Sequence, residues 1–454
     1  MSMATDSSLD YGAFFRAINP SKTLDISKES DRRYYIDFTK VRGDKVIRKL
    51  KHRIVTLSDE ATCSLFTGHI GCGKSTELLR LKKELEEDKF FVVYFMGNEY
   101  LDTSDVAIVD VLLAIAGQIT QELEQKLPPI AEGLQKFLLD VRNVLLTEVE
   151  VQAETKIAGQ GIGVDSETGE VRLSTTIGDL TVKAKNDPTW RSRLNDFMTP
   201  RLPQLIDGIN NDLIRPGIER LRELGYKGLV TIIDNLDRVD NRAGASGRSK
   251  QEMLFIDKGE ELSSLACHTV YTMPLSLRFS DEFNALQQRF IHKPECLPMV
   301  PVMTPDGDGV PVGVDKLKQM ILARAFPGLS PEEQQEQVLE IFESEAVFEQ
   351  LCRVSGGHVR DLLRLLVQWA EEEMELPLTE ESLEIVITEA ANDMGLAISE
   401  EEWELLRQVR ASKELSDEVA YQKLIRSRIV FEYYHKRRSW FDVNPLLLEL
   451  GKLA

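Results

Sequence analysis

The chain reads as an α/β fold: a parallel sheet interleaved with helices, then a mainly helical region and a C-terminal strand hairpin. Three observations predict it. Short apolar runs of strand length recur between stretches of helical periodicity. One of them, Ser64-Leu65-Phe66-Thr67, leads straight into a glycine-rich loop and a helix with Leu78, Leu81 and Leu85 on one face. Another, Gly228-Leu229-Val230-Thr231-Ile232-Ile233-Asp234, is apolar up to a terminal carboxylate. Runs this apolar suit strands covered on both faces, the usual situation in a parallel sheet.

Taken in order, residues 1–30 are rich in Ser and Asp and hold one small apolar cluster, Tyr11, Phe14 and Phe15. This is an arm that stays loose unless it docks. The α/β core spans 31–304. Lys89–Met96 reads as a central strand, and Val106–Leu123 as a helix. Residues 127–225 form an insert. It opens with a helical stretch around Leu134–Leu146. Two alternating runs follow, Glu150–Ile157 and Val171–Ala184, separated by Gly159, Gly161, Gly163 and Gly169. Their alternation predicts a projecting hairpin with little to bury. Thr189–Leu224 is helical, with breaks at Pro200, Pro203 and Pro216. Thr269–Met273 and Pro298–Met303 supply two further strands. Residues 305–395 are helical from Val314 onward, with an acidic, solvated face. In 396–454, two short helical runs precede Arg428–Tyr434 and Ser439–Val443, which alternate around the tip His435-Lys436-Arg437-Arg438.

The 454 residues, 42% hydrophobic and 29% charged, provide a sizeable core and length for about three domains. A net charge of −20 opposes nucleic-acid binding over most of the surface, though not at one local basic patch. The five cysteines (Cys63, Cys72, Cys267, Cys296, Cys352) are scattered and lack C-x-x-C spacing. That usage points to a reduced intracellular compartment. With neither an apolar run of membrane-spanning length nor a signal-peptide pattern, a soluble cytoplasmic protein without a membrane partner is expected.

The chemistry starts at Gly68-His69-Ile70-Gly71-Cys72-Gly73-Lys74-Ser75, which fits G-x-x-x-x-G-K-[ST]. Glycines there let successive backbone N–H groups point at phosphate oxygens, and the following helix adds the partial positive charge of its N-terminus. Gly68, His69, Gly71, Cys72, Gly73, Lys74, Ser75 and Thr76 are therefore candidate nucleotide-binding residues. Lys74 would reach the β/γ-phosphates and the Ser75 hydroxyl would ligate Mg²⁺. Asp234, at the end of its apolar strand, is the natural metal partner. Asn235 follows it and cannot take a proton from water, so Asp237, in Asp-Asn-Leu-Asp, is the candidate to orient the attacking water.

The loop, Ile-Ile-Asp-Asn-Leu-Asp and the later Ser355-Gly356-Gly357-His358-Val359-Arg360-Asp361-Leu362-Leu363 together resemble the AAA+ ATPases and their STAND relatives. The nearest flavour is the branch shared by origin-recognition-type and archaeal-type ATPases. The resemblance implies a P-loop NTPase parallel sheet, with the Thr269–Met273 strand between the two motif strands. It also implies a helical lid over 305–395 and a winged-helix-like domain over 396–454. Thr272 would be a sensor of the γ-phosphate, unless its hydroxyl is satisfied by backbone. Asn98 would be a switch residue restraining the catalytic group. Arg360 would be a second sensor from the lid, with His358 contacting the nucleotide or serving structure. Arg289, in Gln287-Gln288-Arg289-Phe290, resembles an arginine finger offered to a neighbouring subunit, or is a surface arginine at a helix end.

The hairpin resembles the wing of a winged helix. Tyr421–Trp440 holds six basic residues against one acidic, Glu432. Lys436, Arg437 and Arg438 would meet DNA phosphate, or else the domain serves as a protein contact. The sequence thus predicts a Mg²⁺-dependent ATP-binding and hydrolysing protein that switches a homo-oligomer acting on a protein or DNA partner. The alternatives are a nucleotide-bound scaffold with little hydrolysis and an ATP-regulated DNA-binding initiator.

Overall fold

The computed structural model describes residues 9–453 except 44, 129, 155–171, 243–246, 416–417 and 436–437. Five parallel strands form its centre: β1 (Cys63–Thr67), β2 (Phe91–Met96), β3 (Leu229–Asp234), β4 (His268–Thr272) and β5 (Glu295–Cys296). Their order is β2-β3-β4-β1-β5, so β4 does lie between the two motif strands. Register brings the C-terminal ends together: Phe66 lies opposite Thr272 and Glu295, and Met96 opposite Asp234. The loop after β1 and the carboxylate of β3 therefore open on the same edge, where ligands of open α/β sheets bind.

Period-two alternation divides the strands between two cores. Phe91, Val93 and Phe95 face the helix Ile108–Leu123. Val92 and Tyr94 face the other way, toward Leu78, Leu81 and Leu85 of the helix Lys74–Glu87. A third core belongs to the helices of 311–395 and includes Leu317, Phe348 and Trp369. The N-terminal arm docks there. Phe14 and Ile18 of and beside the helix Tyr11–Ala17 are buried in it, and the Tyr11 hydroxyl donates to the Ala370 carbonyl at 3.2 Å.

Two expectations are corrected. The fifth strand is shorter and earlier than the run Pro298–Met303. Pairing ends at Cys296, and the Leu297 N–H still reaches the Thr67 carbonyl at 2.8 Å. The next residues leave the sheet because the helical region claims them: Val300 and Val302 enter its core, and Gly357 presses on the Val300 carbonyl so closely that a Cβ would clash.

The insert is helical where a hairpin was expected. Helices Glu132–Glu154 and Leu173–Asn186 replace the described parts of the two alternating runs, and residues 155–171, with the four glycines, lie outside the described residues. Leu173, Ile177, Leu180 and Ala184 recur at helical spacing and are buried. The Thr- and Val-rich composition imitates a strand locally, but packing against Ile108–Leu123 decides. Gly117 makes the approach close, since a Cβ there would stand 2.9 Å from Ile177 Cγ2.

Helices Glu400–Ser412 and Glu418–Arg426 precede an antiparallel hairpin, β6 (Val430–His435) and β7 (Arg438–Val443). One hairpin face joins Trp403, Leu406 and Leu424 in a fourth core. The other sends Phe431, Tyr433 and Trp440 against the phosphate-loop side of the sheet. Lys436 and Arg437 lie outside the described residues, and Arg438 is exposed. Among the described residues no helix is long and apolar enough to cross a membrane.

Ile177→Ala should cost about 2–5 kcal/mol in urea unfolding, as a fully buried aliphatic does. Val182→Ala, at a residue 58% exposed on the same helix, should change stability by less than about 0.5 kcal/mol. Equal, negligible effects would contradict the packed helix.

Candidate functional site

The loop after β1 needs its glycines for two different reasons. Gly68, Gly71 and Gly73 have φ of 151°, 96° and 103°, a region that side chains disfavour. In addition, a Cβ on Gly71 would lie 2.7 Å from His358 Cε1 and 2.9 Å from Arg360 Cβ. The loop is therefore pinched between its own helix and the start of the helix Val359–Glu373. Gly73 forms the N-terminal cap, and Lys74 opens the helix.

Lys74 is 6% exposed. Its Nζ donates to the carbonyls of Gly68 (2.8 Å) and His69 (2.9 Å) and pairs with Asp237 Oδ2 at 2.9 Å. Burial alone would lower its pKa, but the facing Asp237 carboxylate raises it above the ordinary lysine value. Asp237 stands on a short turn, Leu236–Arg238, and its Oδ1 is buried without a hydrogen-bond partner.

Asp234 is buried at the end of β3. Its Oδ2 accepts from the Tyr94 hydroxyl at 2.9 Å, its Oδ1 from the Asn235 N–H at 2.7 Å, and the Ser75 hydroxyl also bonds to it. Burial, then the neighbouring Asp237, raise its pKa above the usual carboxylate value; these three donors pull it down. Asn235 holds a left-handed backbone (φ 62°) and its Nδ2 donates to Asn98 Oδ1 at 2.8 Å. The structure thus brings Asn98 to the residue at which a catalytic group was sought.

A cleft enclosing about 880 Å³, open solvent included, lies beside these residues. Gly71, Cys72, Gly73, Lys74, Ser75, Thr76, Asp237 and Arg360 line it. Arg360 forms no ion pair among the described residues, and its pKa is lowered by burial and then by Arg238, Arg364 and Arg428. Sequence reasoning missed Arg42. This buried side chain donates from Nη2 to the Cys72 carbonyl at 2.7 Å, while Nε and Nη1 have no partner. It also missed Tyr94, whose place opposite β3 only strand pairing reveals.

Six predicted catalytic or nucleotide-binding residues are absent from the cleft lining; Asp234 is one, and it meets the site through the Ser75 hydroxyl. The His69 side chain turns toward the hairpin: its Nε2 accepts from the Glu432 N–H at 3.0 Å, and its ring meets Phe431 edge-on. His358 is fully buried, donates from Nε2 to the Ile70 carbonyl at 2.8 Å and stacks on Phe431. Both rings bond to backbone groups of or beside the loop, away from the cleft wall. The Thr272 hydroxyl is taken up by backbone, accepting from the Leu236 N–H at 3.0 Å and donating to the Ile233 carbonyl at 3.3 Å. Arg289 is exposed and pairs with Glu260 on the surface. Gly68 also stays off the cleft wall; its carbonyl serves Lys74.

Strand order, phosphate loop and strand-end carboxylate together make this a P-loop nucleotide-binding fold, with the strand placement that the AAA+ resemblance implies. No family model matches the chain, and no curated protein does. Solved structures similar to it over most of its length include three archaeal proteins. The Cdc6p protein of Pyrobaculum aerophilum shares 12% identity over 93% of this chain and 96% of that one, with a TM-score of 0.36. The ORC2 protein of Aeropyrum pernix, in its ADPNP–ADP complexes, shares 11% over 96% and 95%, with a TM-score of 0.40. A Walker-type ATPase of Pyrococcus abyssi shares 13% over 96% and 99%, with a TM-score of 0.42. At these values the residues of the cleft, and not the likeness, carry the chemistry.

Burial first, then the charges of His358 and Lys74, hold His69 well below the usual histidine pKa. A depressed folded pKa contributes stability that is complete above the unfolded value, near 6.5, and lost as pH falls below it. Urea titrations from pH 7.5 to 5 should therefore show wild type losing stability relative to His69→Gln as acidity increases. A constant difference would mean that His69 is not buried neutral.

Proposed function

We propose that the chain binds ATP with Mg²⁺ in this cleft and hydrolyses it slowly, as an AAA+/STAND-type ATPase whose nucleotide state controls self-assembly and a protein or DNA partner. One observation carries the reading: Lys74, the Ser75–Asp234 pair, Asp237 and Arg360 converge from three distant chain segments on one glycine-lined loop. Phosphoryl transfer asks a protein mainly for positioning and for charge aimed at the phosphoryl oxygens. Lys74, Arg42 and Arg360 are the cations placed to supply it.

The donors fit Mg²⁺. Among the described residues no cluster of three or more His, Cys, Asp or Glu could hold a metal alone, but Ser75 and Asp234 offer two hard oxygens. Mg²⁺ takes such a pair together with phosphate oxygens and water. When bound there, it would neutralise phosphate charge. Asp237 is the group to orient water, through the carboxylate oxygen that no donor occupies. Arg289 would act across a subunit boundary after exchanging Glu260 for a neighbour's phosphate.

A second reading, a nucleotide-bound scaffold with little turnover, is favoured by Asn235. It has no proton-accepting oxyanion and is already tied to Asn98.

Lys74→Ala should weaken ATP binding on the order of 100-fold, measured by calorimetry. Asp234→Asn and Asp237→Asn should retain binding and lose phosphate release by about 100-fold or more. If wild type releases no more phosphate than Lys74→Ala, the scaffold reading replaces the ATPase. Joint replacement of Lys436, Arg437 and Arg438 by Ala should lower DNA affinity and flatten its logarithmic salt slope by about 3. An unchanged slope would assign the hairpin to a protein partner.

A further inference from the structure

Phosphate binding leaves one buried cation of the cleft without a task. Arg324, on the helix Pro311–Ala325, is 6% exposed and lines the cleft. The side chains of Lys74 and Arg42 touch the phosphate loop at Gly68 and Cys72, and Arg360 reaches it through its backbone N–H on Gly71. Arg324 does not. Its Nη1 donates to the carbonyls of Met320 at 2.8 Å and Tyr34 at 3.4 Å, which places it at the end formed by the N-terminal segment and the helical region.

The rest of the guanidinium is unengaged. Nε is buried with no hydrogen-bond partner, and no carboxylate pairs with the side chain among the described residues. Burial pushes its pKa down to about 10, opposed only by Tyr34. A buried, unbalanced cation is costly and calls for an explanation. The surroundings supply one. Leu24, Ile36, Phe38, Met320 and Val359 line the same cleft, giving apolar and aromatic walls suited to a flat ring.

Building on the nucleotide reading of the cleft, we propose that Arg324 is its base-reading residue. With the triphosphate at Lys74, the base enters the apolar end, and the free edge of the Arg324 guanidinium donates to a ring acceptor. Nucleobases carry such acceptors on their edges: N7 of adenine, N7 and O6 of guanine. Arg324 is then a base-binding contact, and the helical region binds nucleotide at two points, by Arg360 near the loop and by Arg324 at the base.

The test compares two probes, Mg²⁺-ATP and inorganic tripolyphosphate, on wild type, Arg324→Met and Arg324→Lys. Tripolyphosphate reports the loop end alone. Arg324→Met should weaken ATP binding by about tenfold or more and leave tripolyphosphate within about twofold. Its ligand-free Tm should hold or rise, because a buried unpaired charge is removed. Arg324→Lys, which keeps the charge without the fork, should be intermediate for ATP. The proposal is overturned if Arg324→Met binds ATP like wild type, or if ATP and tripolyphosphate weaken equally with a fall in Tm. The latter result would make Arg324 a purely structural tie to Tyr34. Wild type that binds neither probe would instead overturn the nucleotide reading of the cleft, and this inference with it.

Discussion

A buried ammonium has to be surrounded by oxygen, and much of this structure follows from how Lys74 meets that requirement. Taking the charge out of water costs several kcal/mol unless acceptors replace the solvent. Two come from the loop itself, the carbonyls of Gly68 and His69, and the third is Asp237. Asp237 belongs to the segment after β3, although β4 separates β3 from β1. The turn Leu236–Arg238 must therefore reach across β4, and Thr272 at the end of β4 accepts the Leu236 N–H as it passes. A threonine read from sequence as a sensor acts here as the bridge pier for an ion pair.

The loop's other side is fixed by residues nearly 300 and more than 350 positions away. His358 holds the Ile70 carbonyl, the Arg360 N–H donates to the Gly71 carbonyl at 3.2 Å, and His69 receives the Glu432 N–H. Ion pairs brace these contacts. Arg428 joins Asp361 at 2.6 Å, and Arg278 joins the buried Glu432 at 2.5 Å. Burial works against the Asp361 carboxylate, but His358, Arg428 and Arg364 bring its pKa down to about 2. Helical region, hairpin and loop thus share one small polar cluster. A displacement of the hairpin cannot leave the loop's second residue unaffected, because His69 would lose its one side-chain acceptor contact.

How much of this was legible depends on the range over which each signal acts. Apolar runs marked β1 to β4 because strands covered on both faces need them. The loop and Asp234 were visible because their chemistry is written in adjacent residues. Pro298–Met303 misled because an apolar stretch records burial, not pairing, and Val300 is buried by the helical region. Leu173–Asn186 misled because Thr and Val favour strands while the packed Ile177 favours a helix. Arg42, Tyr94 and Arg324 carried no local pattern at all. Each matters only through a partner far along the chain, respectively Cys72, Asp234 and Tyr34.

The charges of the cleft are separated by origin, and the separation bears on what it is built to hold. Two buried carboxylates, Asp234 and Asp237, stand three residues apart and face a single ammonium. Burial, then the neighbouring Asp237, push the pKa of Asp234 up, and donation from Ser75, Asn235 and Tyr94 pulls it down. Neutral donors stabilise a carboxylate without cancelling its charge, so the end of β3 offers acceptor oxygens to a cation. The buried and half-buried guanidiniums stand elsewhere, Arg42 on the N-terminal segment and Arg324 and Arg360 on the helical region; Arg238, beside Asp237, lines the cleft but is exposed. A simple anion would need only the second set, and a simple metal ion only the first. On the proposed reading, a ligand pairing a divalent cation with a polyphosphate would answer both at once, with Asp234 available to the metal and the arginines to the phosphates.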